Sequence, residues 1–286
     1  FKLKKKWEIL IKIEDIKYDL HDKTVNDIDF DLEKWKIENP IDYFKFMYLI
    51  NTSLDKNTAF KTIYQISRLY MPNTLFKYYS LTDDTSLNKQ KLDTLLQQKV
   101  FMSNVKSLND PFDSKAYFYR PEELKKYERL AIHDGKLIDD FAAYTKVCSF
   151  STNGINSMPM WAHYANNHCG FCVSYDTKIN WDLASCTFPV QYTSERIDIT
   201  SVMDEQVKKA LLELELQSKQ GRKKIILDDL SLIFLTTYFC NIKHTSWSYE
   251  NEFRCTIGNS TQIPSYMPAQ PKEIYIGKNC KQTYID

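Results

Sequence analysis

Residues 146–193 read KVCSFSTNGINSMPMWAHYANNHCGFCVSYDTKINWDLASCTFPVQYT. Three short runs in this stretch carry strand chemistry: KVCSFST (146–152), CGFCVSYD (169–176) and FPVQYT (188–193). Each mixes aromatic and β-branched residues and is bounded by turn formers, as strands are. Parallel neighbours need a crossover of a dozen or more residues, usually a helix. Few strand pairs in this chain are separated that way. The pattern therefore predicts an α+β protein with mixed or antiparallel sheets and flanking helices, not a doubly wound sheet.

Working outward, LFKYYS (75–80) reads as another strand, and TSLNKQKLDTLLQQK (85–99) as an amphipathic helix. VFMSN (100–104) is a further short strand. Residues 121–145 open with Pro121-Glu122-Glu123, which suits a first helical turn. Residues 200–245 read as one long helical region, and EFRCTIG (252–258) and KEIYIG (272–277) as closing strands. Upstream of Asn73 the spacing is helical throughout, with Pro40 near one helix start and Pro72 as a stop. The expected organisation is an N-terminal helical appendage, 1–72, and an α+β domain, 73–286.

The composition excludes whole classes. With 286 residues, 43% hydrophobic and 26% charged, the chain can bury a core and is not disordered. The net charge of +1 gives no general case for a nucleic-acid or membrane partner. No run approaches the roughly 18 apolar residues of a membrane span, and the basic start is too short and too charged for a signal peptide. The six glycines stand singly, so no Gly-rich phosphate loop exists. Seven cysteines, an odd number, argue against a disulfide framework and fit a reducing cytoplasm. Cys169 and Cys172 form a lone CxxC without the second pair a zinc site needs, so no metal site is expected.

Five segments concentrate polar and aromatic side chains: LFKYYS, NDPF (109–112), CSFS (148–151), MWAHYANNH (160–168) and WSYENEFR (247–254). Read as strand, Glu250, Glu252 and Arg254 share one face. An ion pair of Glu252 with Arg254 or Lys243 is the bland account. His163 is as suited to a backbone hydrogen bond as to catalysis. Asn109-Asp110-Pro111 is a turn by its chemistry, and Trp247 a core anchor. Cys148 with His163 is conceivable as a thiol–imidazole pair.

In order, these segments resemble a bacterial family known as domain-of-unknown-function family 2971, often found near phage-defence genes. The matching motifs are Asn109-Asp110-Pro111-Phe112-Asp113, Trp161-Ala162-His163-Tyr164 and Trp247-Ser248-Tyr249-Glu250-Asn251-Glu252-Phe253-Arg254, within about 73–280. A second resemblance is to ADP-ribosyltransferase folds. LFKYYS followed by a helix and a small strand is similar to their opening, and ENEFRCTIG with IPSYMPAQPKEIYIG to their closing pattern. Position 77 departs from it, being Lys where those enzymes carry His or Arg.

The second resemblance implies an NAD-consuming toxin or phage-defence effector acting on a nucleic-acid or protein acceptor. Glu252, Glu250 and His163 would be the catalytic candidates. Lys77, Tyr79, Ser149, Trp161 and Tyr164 would bind NAD, Lys77 through the pyrophosphate and Tyr79 or Trp161 by stacking. Two alternatives stand beside it. One is a ligand-sensing or protein-interaction module, with a partner on the N-terminal helices. The other is an RNase using His163, Lys243 and Glu250, or Asp110 and Glu252 with a metal.

Overall fold

The computed structural model describes residues 31–53, 55–108, 110, 112–113, 115–136, 145–221, 234–235, 237–258 and 265–284. Of the helical reading upstream of Asn73, residues 1–30 lie outside them. Three helices open the described chain: α1 (Leu32–Glu38), α2 (Tyr43–Thr52) and α3 (Lys56–Leu69). Each begins at an aspartate, Asp31, Asp42 or Asp55. The carboxylate accepts from the backbone N–H three residues on, at 3.0–3.2 Å, which satisfies a donor the helix leaves free. The same device, Asp84 accepting from Leu87 N at 2.9 Å, starts α4 (Thr85–Leu96).

The chain then builds an open seven-stranded sheet in which every pairing is antiparallel. Its order is β13 (Glu273–Ile276), β6 (Phe171–Asp176), β1 (Thr74–Tyr79), β5 (Thr145–Ser151), β11 (Glu252–Gly258) and β7 (Thr187–Pro189). Strand β3 (Ser103–Asn104) also pairs with β5. Three two-stranded pairs accompany it. Strand β2 (Lys99–Phe101) runs antiparallel to β12 (Tyr266–Pro268). Strands β4 (Tyr117–Phe118) and β9 (Ile197–Asp198) are parallel, as are β8 (Gln191–Thr193) and β10 (Ile242–His244). The fold is α+β. Among the described residues no helix is long and apolar enough to cross a membrane.

Period-2 alternation divides the sheet into two faces. Leu75, Phe150, Val173, Tyr175, Phe253 and Cys255 face a core closed by Leu95, Val100, Met102 and Met267. On the opposite face Tyr78 and Cys172 pack under helix α7 (Met158–Tyr164) with Met160 and Trp161. Gly170 lets β6 begin close to β1, since a Cβ there would stand 1.9 Å from the Tyr79 carbonyl oxygen. The largest core lies to one side. Trp35, Tyr43, Met47, Ile50 and Ile63 of the first helices share it with Tyr117, Phe188, Met203, Tyr238 and Phe239. Tyr43 stacks on Tyr238 with ring centroids 5.0 Å apart, and its hydroxyl donates to the Pro189 carbonyl.

Several expectations are corrected. Within 200–245, the long helix spans only Thr200–Lys219, and Ile242–His244 is strand, held by pairing with β8 that local propensity does not encode. Residues 222–233 lie outside the described part. Within 121–145 the described helices are two single turns, α5 (Pro121–Leu124) and α6 (Glu128–Ala131), separated by the extended Tyr127. FPVQYT is two strands in different sheets: Val190 N still donates to the Glu252 carbonyl of β11 at 2.9 Å, and Gln191 N already donates to the Asn241 carbonyl at 2.8 Å, beside β10. Glu250 is not on a strand. It ends a 3-10 segment, Thr245–Glu250, and Asn251 (φ +43°) reverses the chain before β11 begins. Asparagine tolerates this left-handed conformation better than most residues.

Candidate functional site

Strands β1 and β6 pair along six residues and β5 and β11 along seven, but β1 and β5 meet at one pair, Phe76 with Ser151. A cleft of about 230 Å3 opens along this joint. Phe76, Lys77 and Tyr78 line it from β1, and Ser149, Phe150 and Ser151 from β5. Met160 and Tyr164 come from α7. Lys243 comes from β10, Trp247 and Glu250 from the 3-10 segment after it, and Glu252 and Arg254 from β11, with Asp110 and Asp113 from the turn after β3.

A buried charge network forms the floor. Lys243 Nζ donates to Glu250 Oε2 at 2.6 Å and to Glu252 Oε2 at 2.9 Å. Arg254 holds Glu252 with both Nε (2.7 Å, on Oε1) and Nη2 (3.1 Å, on Oε2). Its Nη2 also stands 2.8 Å from Asp113 Oδ1, and its Nη1 donates to the Cys240 carbonyl at 2.6 Å. Arg254 is only 1% exposed, Glu250 2% and Glu252 4%. Such burial is tolerable because each charge has an opposite partner within hydrogen-bond reach.

The two glutamates are driven apart in acidity. Burial would lift Glu252, but Arg254 and Lys243 overcome it and hold its carboxyl at about 2. Glu250 has only Lys243 as a cationic partner, and burial together with the neighbouring Glu252 charge raises it above its ordinary range. The Tyr164 hydroxyl donates to Glu250 Oε1 and is itself raised by burial and by that carboxylate. Asp113 is raised by burial, against the pull of Arg254. Among the lining side chains three cations (Lys77, Lys243, Arg254) face four acids (Asp110, Asp113, Glu250, Glu252). One proton more on the acids balances them. The environments thus separate the two neighbouring carboxyls: Glu252 is held as an anion, while Glu250 takes up a proton more readily.

Glu250 is placed by its turn. Ser151 Oγ donates to the Glu250 carbonyl at 2.6 Å, Asn153 Nδ2 to the Tyr249 carbonyl at 2.6 Å, and Asn251 Nδ2 to Asn153 Oδ1 at 2.6 Å. Glu252 N donates to the Tyr192 hydroxyl at 2.9 Å. On the other wall, Lys77 Nζ donates to the Ser149 carbonyl at 3.2 Å and lies 5.5 Å from the Tyr79 ring centroid.

Of the residues singled out from sequence, Lys77, Ser149, Tyr164, Glu250 and Glu252 come together in the cleft, and Tyr79, Trp161 and His163 are not among its lining. Tyr79 points to the other face of the sheet, stacked on Phe171 at 4.8 Å, its hydroxyl 3.2 Å from that of Tyr175. Trp161 is buried, donates from Nε1 to the Ile155 carbonyl at 2.7 Å and stacks on His168. His163 is exposed on α7. Cys148 lies in the core on the far face, so it forms no pair with His163, and burial raises its thiol. The seven cysteines are free, Cys172 buried and Cys169 partly so.

Trp247 is half-buried at the cleft with Lys243 Nζ 4.9 Å from its ring, and is not the core anchor its size suggested. Sequence reading also missed Phe76 and Tyr78 as lining residues, and Asp113 as the partner of Arg254. Alternation along β1 carried the first signal, since Phe76 and Tyr78 lie on the face opposite Leu75 and Tyr79. Nothing local carried the second. Asp110 and Asp113 do form the expected turn, with Asp113 N donating to the Asp110 carbonyl at 3.0 Å. Asn109 and Pro111 of that motif lie outside the described residues.

Residues 160–255 match the model of a family described as Protein of unknown function (DUF2971). The matched span holds α7 from Met160 on, Lys243, both glutamates and Arg254, and leaves Lys77, Ser149 and Asp113 outside. No curated protein and no solved structure matches the chain.

Proposed function

We propose that the cleft cleaves the nicotinamide–ribose bond of NAD and passes ADP-ribose to an acceptor on a nucleic acid or protein, as an effector of the toxin or phage-defence kind. One observation carries the reading. A lysine on β1, a serine on β5 and two glutamates, one ending the 3-10 segment and one opening β11, converge where the sheet is least tightly joined. The cleft is smaller than the roughly 300–1,000 Å3 that encloses a drug-sized ligand. It therefore takes the nicotinamide-ribose end, and the adenylate end lies outside.

Bond cleavage passes through a cationic, oxocarbenium-like sugar, as in glycoside hydrolysis. The C1′–N bond breaks and its electron pair leaves on the nicotinamide nitrogen. An acceptor oxygen or nitrogen bonds to C1′, and its proton passes to Glu250. The raised carboxyl suits that transfer near neutral pH. Glu252 keeps the floor anionic and holds Lys243, which orients Glu250. Lys77 supplies a point charge for phosphate on the opposite wall. Trp247 takes the stacking role that sequence reading assigned to Tyr79 or Trp161.

The test is incubation of the protein with labelled NAD and cell extract, with Glu250→Gln beside the wild type. Nicotinamide release with label on macromolecules, lost in the variant, is the expected result. No release from the wild type with any extract would leave the alternative of a ligand-sensing module.

A further inference from the structure

Four rings form a belt at the cleft rim that begins and ends on lining residues and reaches the surface at His163. Trp247 and Tyr164 line the cleft. Trp247 and Tyr249 have ring centroids 6.1 Å apart, Tyr249 and His163 6.1 Å, and His163 and Tyr164 6.4 Å. His163 is exposed and the other three are half-buried. Such side chains gain by being covered, and a cluster of them at the surface marks a binding site more than chance. Their chemistry is also particular. Each ring offers a π-face and carries a polar atom, which suits a flat heterocycle better than an aliphatic chain.

We propose that the outer part of this belt, Tyr249 with His163, is a stacking subsite for a purine base whose sugar-phosphate runs into the cleft. Two further observations fit that occupant. The cleft is too small for a whole dinucleotide, so one of its two bases lies at the rim, and the belt is the aromatic surface that continues the lining. The cation Lys77 lines the cleft, its Nζ donating to the Ser149 carbonyl at 3.2 Å, where phosphate following the base would meet it. The purine belongs either to the adenylate end of the dinucleotide or to a nucleic-acid acceptor. Both present the same ring to the belt.

The proposal rests on the reading of the cleft as a nucleotide site, but its test is binding and not turnover, so either can fail without the other. Calorimetric titration of the full chain uses four probes: ADP-ribose, AMP, nicotinamide mononucleotide and a single-stranded dA12 oligonucleotide. The variants are Tyr249→Ala and His163→Ala, with Tyr249→Phe as the rescue, and circular dichroism checks that each folds. Loss of one base–aromatic stack weakens binding about tenfold. Expected is that weakening of ADP-ribose and AMP in Tyr249→Ala, recovery in Tyr249→Phe, and no change for nicotinamide mononucleotide, which lacks the purine. Binding of dA12 with the same sensitivity, without that of ADP-ribose, assigns the base to a nucleic acid. The subsite is overturned if folded Tyr249→Ala and His163→Ala bind every probe as the wild type does, or if no purine probe binds the wild type.

Discussion

Replacing Glu252 by Gln should cost about 3 kcal/mol of stability at pH 7, and the cost should vanish in acid. Both Glu252 oxygens accept from cationic donors: Oε1 from Arg254 Nε, Oε2 from Lys243 Nζ and Arg254 Nη2. A Gln amide placed either way turns its NH2 group against one of them. Moving a carboxyl from its ordinary 4.5 to about 2 is worth about 3 kcal/mol at roughly 1.4 kcal/mol per pKa unit. Breaking a buried pair by removing one partner costs about 3–5 kcal/mol, so the two estimates agree. The sign follows from the depressed pKa. The stabilisation is fully present above 4.5 and is lost as pH falls through about 2. Urea unfolding of wild type and variant at pH 7, 5, 4 and 3 measures this directly. The curves should differ most at pH 7 and converge toward pH 2. A difference under about 1 kcal/mol at pH 7, or one independent of pH, would refute the account of Glu252 as the fixed anion of the floor.

Glu250→Gln should behave oppositely, with little or no loss of stability and a fall of about 10²–10⁴ in NAD turnover, the usual reach of a general base. Because its folded pKa is raised, wild-type activity should climb with pH above 4.5 as Glu250 ionises, and that limb should be missing from the residual rate of the variant. Arg254→Met strands Glu252 and Asp113 and should lower stability by about 3–5 kcal/mol; chemical denaturation gives the figure. Tyr43→Phe removes a buried hydroxyl bonded to the Pro189 carbonyl and should cost about 1 kcal/mol in the same assay. Deleting residues 1–72 uncovers Phe188, Tyr238 and Phe239, so the remainder should bind a hydrophobic dye or aggregate; a monomeric, cooperatively unfolding fragment would contradict the shared core.

Much of the fold is legible in the sequence because it is written locally. Strands β1, β5, β6, β11 and β13 announce themselves by short aromatic and β-branched runs between turn residues. Helices α2, α3 and α4 do so by helical spacing, with Pro40 ahead of α2 and Pro72 after α3. The α+β class follows from the small number of strand pairs separated by a helix of crossover length. The segments that carry Lys77, Ser149, Tyr164, Glu250 and Glu252 stand out by composition. What local pattern cannot express is which face meets which. Tyr79 and Tyr78 are adjacent and equally aromatic, yet pleating sends one to the core and the other to the cleft. Strand β10 exists only because β8 lies beside it, so Lys243, read as helical, arrives between the two glutamates. The acidity of those glutamates is likewise a tertiary property. They are two residues apart and chemically identical. One is low because Arg254 folds back on it and Lys243 bridges to it, and the other is high because burial and its neighbour's charge outweigh the single lysine it shares. Chain order sets the residue types and the periods, while distance through space sets charge, and only the folded sheet fixes those distances.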